Sequence, residues 1–259
     1  MTCFSLVKYY NNKQGKEVKM NLFKKNIFRI SVALNVILLL FSGVVIYQKG
    51  GAIYQRTVSV FSNKASVEIN LMYDRRVSLF SIIKSPSGGI IFLGDSITQY
   101  AEWDELFTNS KVINRGIGSD TTKGVIDRLD QIVLMQPSKI FLMIGINDLG
   151  KGVSVQDIES NYEQILIRLK EIKSTKLYVQ SLLPVNTTLA ENIVSSDKII
   201  ELNKRLALLA KKHNAEYVDL YSVFATNGQM PVKYTGDGVH LTGEAYAVWC
   251  SQIRQYVND

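Results

Sequence analysis

Reactive side chains are scarce in this chain, which has two cysteines and two histidines in 259 residues. Cys3 lies near the N-terminus and Cys250 in the last expected helix, so neither a disulfide framework nor a thiolate metal site can be assembled. Cys250 reads as a small core residue. With only His213 and His240 available, a histidine-rich zinc site is excluded, no metal is expected, and chemistry that needs an imidazole base has two candidates. Net positive charge is nearly missing from most of the chain as well. The net charge is +7, but Lys8, Lys13, Lys16, Lys19, Lys24, Lys25 and Arg29 against Glu17 account for +6 by residue 29. A nucleic-acid partner is therefore not expected, since phosphate contacts need Lys and Arg spread over the folded surface. Internal repeats and low-complexity stretches are absent too.

Residues 1–29 form a basic tail, and the 18 residues from Ile30 to Tyr47 carry no charge at all. At about 1.5 Å per residue such a helix just spans a hydrocarbon core of roughly 30 Å. No Ala-x-Ala-like site follows it, so the pattern favours an uncleaved transmembrane anchor over a cleaved signal peptide. The basic flank predicts residues 1–29 in the cytoplasm and the rest of the chain outside, at the cell surface or in the periplasm. No cysteine stands directly after the apolar run, which argues against a lipidated lipoprotein. Met20 would serve equally as a start, because Lys24, Lys25 and the apolar run already make a complete targeting segment.

Residues 48–89 read as a linker or helical stalk, with Val77, Phe80 and Ile83 three apart, broken by Pro86-Ser87-Gly88-Gly89. From residue 90 to 259 strand and helix alternate. Ile90–Leu93, Ile140–Ile144 and Leu177–Val179 are continuous apolar runs that fit strands buried on both faces, and Lys111–Asn114 and Glu216–Leu220 are weaker strands. Helical periods appear at Val125, Leu129, Ile132 and Val133; at Ile158, Tyr162, Ile165, Leu166 and Leu169; at Ile199, Leu202, Leu206 and Leu209; and at Ala245, Val248, Trp249 and Ile253. Ser154-Val155-Gln156-Asp157 has the form of a capping box. The pattern predicts a three-layer α/β/α domain around a five-stranded parallel sheet.

Four motifs fall at the carboxyl edge of that sheet, where open α/β folds place their sites. They are Gly94-Asp95-Ser96, Asn114-Arg115-Gly116, Gly145-Ile146-Asn147-Asp148 and Asp237-Gly238-Val239-His240. A serine hydroxyl needs a base to take its proton as it attacks. His240 is the expected base, because His213 in Lys211-Lys212-His213-Asn214 sits where a helix C-terminus holds a cationic or capping His. Asp237, three residues before His240, can fix the imidazole tautomer that presents Nε2 to Ser96. The oxyanion would be met by the backbone N–H groups of Ser96 and Gly116 and the amide of Asn147.

At these residues, from Ile90 to Val257, the chain resembles the SGNH hydrolases, also called the GDSL esterase/lipase family. It is most similar to the branch containing platelet-activating factor acetylhydrolase catalytic subunits and bacterial O-acetylesterases. The resemblance rests on Leu93-Gly94-Asp95-Ser96-Ile97-Thr98, on Gly116-Ile117-Gly118-Ser119-Asp120-Thr121-Thr122 and on Asp237-Gly238-Val239-His240-Leu241-Thr242. It implies a flavodoxin-like fold, no cofactor, Ser96 as nucleophile, Gly116 and Asn147 in the oxyanion hole, and Asp237 and His240 completing the triad. Ser119 stands where many relatives carry Gly. Asp95 and Asp148 read as hydrogen-bonding supports.

Loops after the strands are short and lack a long apolar lid. A serine esterase acting on short acyl esters, acetyl on a carbohydrate above all, fits best. An acyltransferase using the same acyl-serine, a lysophospholipase or thioesterase, and a membrane-tethered glycan-binding module stand as alternatives. The oligomeric state is left open.

Overall fold

The structure, a computed structural model, describes residues 71–83, 87–108, 110–190 and 193–258, with Leu34 alone before them. The basic tail and, apart from Leu34, the segment Ile30–Tyr47 lie outside the described residues. Among the described residues no helix is long and apolar enough to cross a membrane.

The five expected strands form one parallel sheet. They are β1 (Ile90–Gly94), β2 (Val112–Gly116), β3 (Lys139–Met143), β4 (Lys176–Gln180) and β5 (Glu216–Val218), in the order β2-β1-β3-β4-β5. This is the order of doubly wound flavodoxin-like sheets, whose ligands bind outside the carboxyl ends of the strands near the switch in strand order.

Register explains the core. Phe92 pairs with Phe141, and Phe141 with Tyr178, across β1, β3 and β4. Their rings stack at 4.8 and 4.5 Å. Trp103, on helix α3 (Trp103–Leu106), closes over Phe92 at 3.9 Å, and Trp249, on α10 (Gly243–Asn258), meets Trp103 edge-on at 4.9 Å. The Trp249 indole N–H is satisfied by Gln180 Oε1 at 2.7 Å, which lets the ring be buried without an orphan donor. Ile91, Leu93, Ile140, Leu142 and Val179, of opposite parity, are equally buried. They face the other side by strand alternation. The apolar stripes of α7 (Val155–Leu169) and α8 (Ser196–Lys212) supply that layer, and every residue of the two expected periods is buried in them. Ser154 caps α7 as its sequence predicts, its Oγ accepting from the Asp157 N–H at 3.1 Å.

Two segments depart from their expected form. Val125 to Val133 is not one helix but two, α4 (Thr122–Asp127) and α5 (Leu129–Leu134), joined at Arg128 with φ −116° and ψ 9°. The break accompanies the burial of the Arg128 side chain, whose guanidinium binds Asp120 and the Gly94 carbonyl in the interior. Upstream, residues 71–82 are helical (α1) and docked on the domain. Phe80 is buried, Tyr73 donates to the Gly124 carbonyl at 2.8 Å, and Arg76 donates to the Gly116 carbonyl at 3.2 Å. The folded unit therefore includes α1 as well as the segment from Ile90 onward.

Candidate active site

Strand β1 ends in Gly94 because its neighbours leave no room for a side chain. A Cβ there would lie 2.3 Å from the Met143 carbonyl and from Thr98 Oγ1. This close approach brings helix α2 (Ser96–Gln99) down onto the sheet edge. Asp95 caps α2, its Oδ1 accepting from the Ile97 N–H at 3.0 Å. Burial pushes the Asp95 carboxyl up to about 7, against the pull of that hydrogen bond. As the first residue of α2, Ser96 leaves its N–H without an intrahelical partner. The Asn114 amide, in the middle of β2, donates to the carbonyls of Thr98, Gln99 and Ala101 and so fixes the far end of α2.

The imidazole arrives from a loop 144 residues away in sequence. Asp237 shapes that loop with one oxygen and orients the ring with the other. Its Oδ1 accepts from the N–H groups of Val239 and His240 at 2.9 and 2.8 Å, and its Oδ2 lies 2.6 Å from His240 Nδ1. His240 Nε2 is 2.9 Å from Ser96 Oγ. Partial burial opposes ionisation of Asp237, yet the hydrogen bonds from the ring and the two backbone N–H groups outweigh it and hold the carboxyl down at about 2. Gly238 makes the turn possible: its φ is +91°, and a Cβ would lie 2.6 Å from Ala190 Cβ and 2.7 Å from the Asn186 carbonyl.

Asn147, in the first turn of α6 (Ile146–Gly150), donates one amide hydrogen to the Asp120 carbonyl at 2.9 Å. That bond orients the amide and leaves its second hydrogen for another acceptor. Asp120 is itself held by the buried Arg128, through Nε at 2.9 Å and Nη2 at 2.8 Å. Arg128 Nη2 also reaches the Gly94 carbonyl at 3.2 Å, so a single guanidinium ties the strand before the serine to the loop after β2. Asp148 accepts from Thr122 through both N–H and hydroxyl, and Asp95 caps α2, which are the supporting parts expected of these two carboxylates.

Gly116 requires a correction. Its N–H, expected to face an oxyanion, donates to Asn114 Oδ1 at 2.8 Å. The reason is local: an Asn side chain readily bonds the backbone N–H two residues on, a turn-forming habit legible in Asn114-Arg115-Gly116 and missed in favour of the glycine. The rest of the loop is nearly fully committed. Ile117 N–H donates to the Gly94 carbonyl, Gly118 N–H to Gln99 Oε1, Asp120 N–H to the Ile117 carbonyl, Thr121 N–H to Asp120 Oδ1 and Thr122 N–H to Asp148. Ser119, at φ +61°, is the residue of this stretch whose N–H meets no acceptor among the described residues.

His213 is elsewhere. It ends α8 and pairs with Glu163 at 3.0 Å. Two cavities border the site residues. One of about 240 Å³ is lined by Tyr73, Ser119, Asp120, Lys123 and Lys151, and a narrow apolar one of about 10 Å³ lies among Asp95, Ile97, Ile146 and Val239. A larger hollow of about 810 Å³ lies at the opposite end of the sheet, around Lys176 and Glu216, away from these residues.

A serine, an imidazole and a carboxylate in hydrogen-bonded series at the carboxyl edge of a five-stranded parallel sheet match the arrangement found in serine hydrolases. The chain matches the family model described as GDSL-like Lipase/Acylhydrolase over residues 92–248. It is 29% identical over 183 residues to the platelet-activating factor acetylhydrolase IB subunit alpha2 of Gallus gallus, covering 67% of this chain and 78% of that protein. An N-acylneuraminate cytidylyltransferase of Streptococcus agalactiae is 26% identical over 169 residues, which cover 65% of this chain but only 38% of the length of that relative. Among solved structures, a protein from Streptococcus pneumonia described as a candidate platelet activating factor superposes with a TM-score of 0.69 at 30% identity, covering 78% of this chain and 98% of that one. The chain belongs to the GDSL-like lipase/acylhydrolase family and is a carboxylic ester hydrolase.

Proposed function

We propose that this chain hydrolyses short acyl esters, acetyl on carbohydrate in particular, with Ser96 as nucleophile, His240 as base and Asp237 as the group that orients it. The observation that carries the reading is the continuous series from Ser96 Oγ to His240 Nε2 at 2.9 Å and from His240 Nδ1 to Asp237 Oδ2 at 2.6 Å. Ser96 Oγ attacks the ester carbonyl and its proton passes to Nε2. The collapsing intermediate expels the alcohol, which takes that proton back, and water repeats the sequence on the acyl-serine. The carbonyl oxygen, negative in the intermediate, is held by the Ser96 N–H and the free amide hydrogen of Asn147. The N–H of Ser119 serves as third donor in place of that of Gly116.

Short acyl groups are favoured by the space available. The apolar cavity among Asp95, Ile97, Ile146 and Val239, the immediate neighbours of the triad and Asn147, offers only about 10 Å³, about one water-sized sphere, which supports a short acyl chain over a long one. The uncharged run Ile30–Tyr47 behind a basic tail favours an anchored enzyme whose catalytic domain meets extracytoplasmic glycan esters. Protease added to intact cells tests that placement, and a domain protected while an exported control is digested refutes it.

Acetate release from a panel of O-acetylated saccharides and acyl esters of rising chain length tests the activity, with Ser96→Ala as control. Turnover should be confined to short acyl groups and vanish in the variant. A folded Ser96→Ala protein that retains more than a residual rate overturns the assignment. Acetyl recovered on an added acceptor sugar instead of as acetate identifies a transferase.

A further inference from the structure

Tyr100 closes helix α2, four residues after Ser96, and its N–H donates to the Ser96 carbonyl at 3.0 Å. Its ring does not enter the core. It lies with its centroid 5.3 Å from that of the His240 imidazole, inclined by 47°, and the residue is 55% exposed. An aromatic ring left open to water beside the base gains little for the fold, since stabilisation by apolar surface scales with the area removed from water.

The reaction itself says what passes there. The nitrogen that accepts the Ser96 proton must return it to the oxygen of the departing alcohol, so that oxygen sits next to His240 Nε2. The acyl oxygen points the other way, toward the Ser96 N–H and Asn147. The alcohol moiety therefore leaves along the imidazole side of Ser96, and Tyr100 is the exposed aromatic that borders the imidazole. We infer that Tyr100 is a specificity-determining residue, a platform for the alcohol part of the ester, and that it takes a pyranose ring whose C–H face stacks on the aromatic face. The phenol hydroxyl stays at the wet rim, an amphipathic arrangement to which tyrosine is suited. The inference rests on the carbohydrate-ester reading and names the contact by which it operates.

Three substrates separate the possibilities: an O-acetylated methyl glycopyranoside, phenyl acetate and vinyl acetate, the last with an alcohol too small to reach the platform. The readout is the ratio of kcat/KM for the glycoside to that for vinyl acetate in the full-length protein. Tyr100→Ala should lower this ratio roughly three- to tenfold, mainly through KM, while Tyr100→Phe keeps it within about twofold of the wild type. A Tyr100 that only steadied His240 would slow both substrates alike, so an unchanged ratio in the Ala variant overturns the inference. Wild-type protein that cleaves vinyl and phenyl acetate but not the glycoside removes the carbohydrate reading. The platform is then decided by phenyl against vinyl acetate: a ratio lowered by Tyr100→Ala retains it for another ring-bearing alcohol, and an unchanged ratio disposes of it.

Discussion

Replacing Asp237 by Asn preserves the shape of the side chain and reverses what it tells His240. In the native protein Asp237 Oδ2 can only accept, so the proton of the neutral ring stays on Nδ1 and Nε2 faces Ser96 as an acceptor. An Asn in the same rotamer keeps its carbonyl on the N–H groups of Val239 and His240 and turns its NH₂ toward Nδ1. The ring proton then moves to Nε2, which donates to Ser96 Oγ and cannot take its proton. Loss of the correct tautomer is worth roughly 10³–10⁴ in kcat. Stability should fall only modestly, because both loop hydrogen bonds survive and the charge that strengthens them is lost at a half-exposed site. Asp237→Ala is the contrast: it loses both, and since the side chain is 56% exposed each is worth only about 0.5–1 kcal/mol, a fall of roughly 2–8 °C in Tm for a domain of this size. Its imidazole is free to adopt either tautomer, so the folded Ala variant should be no slower than the Asn variant. Initial rates on a short ester, with a thermal melt of each protein, decide the matter. An Asn variant that retains more than a tenth of wild-type activity refutes the orienting part given to Asp237. The low carboxyl also sets a pH window. A folded pKa of about 2, below the unfolded value of about 4, contributes stability that is full above the unfolded value and is lost as pH falls through 2, so the carboxylate stays charged at ordinary pH.

Asn147→Ala should depress kcat by roughly 10²–10³ with a smaller change in KM, because its amide acts on charge present only in the transition state; a change confined to KM would reassign Asn147 to substrate binding. Gly238→Ala adds a Cβ against Ala190 and Asn186 at a positive φ, and should cost about 2–5 kcal/mol together with most of the activity; denaturant titration within 1 kcal/mol of wild type would show that the loop gives way freely. Asp95→Asn should stabilise the protein increasingly as pH rises from about 4 to about 7, by up to about 4 kcal/mol, because the buried carboxyl is favoured neutral and its ionisation in the unfolded chain draws the equilibrium away from the fold; a difference that stays flat over that range contradicts the burial argument. His213→Ala should leave ester hydrolysis within about twofold of wild type, since His213 is engaged with Glu163, and a large loss would point to the wrong imidazole.

The strands, the long helices, the position of the first three motifs at strand ends and that of Asp237 and His240 before the last helix were legible from residues alone, because burial on both faces, helical period and capping are local patterns written in consecutive side chains. Phe92, Phe141 and Tyr178 could be seen as strand residues in this way, but their stacking could not. It needs the register that places three separate strands side by side. The same limit applied to the site. Residue types named Ser96, Asp237 and His240 as partners, whereas the 2.9 Å between Ser96 and His240 exists because a loop 144 residues downstream folds back over the sheet edge. At Gly116 the local pattern suggested an open N–H, because glycine permits one, but Asn114 Oδ1 accepts from it, and Ser119 is the residue of that loop whose N–H has no acceptor among the described residues. The turn at Arg128 and the docking of residues 71–82 were likewise beyond periodicity, since both depend on a buried partner, Asp120 in one case and the Gly116 and Gly124 carbonyls in the other. A backbone group or a guanidinium has one chemistry and many possible partners, and only the packed chain determines which of them lies within 3 Å.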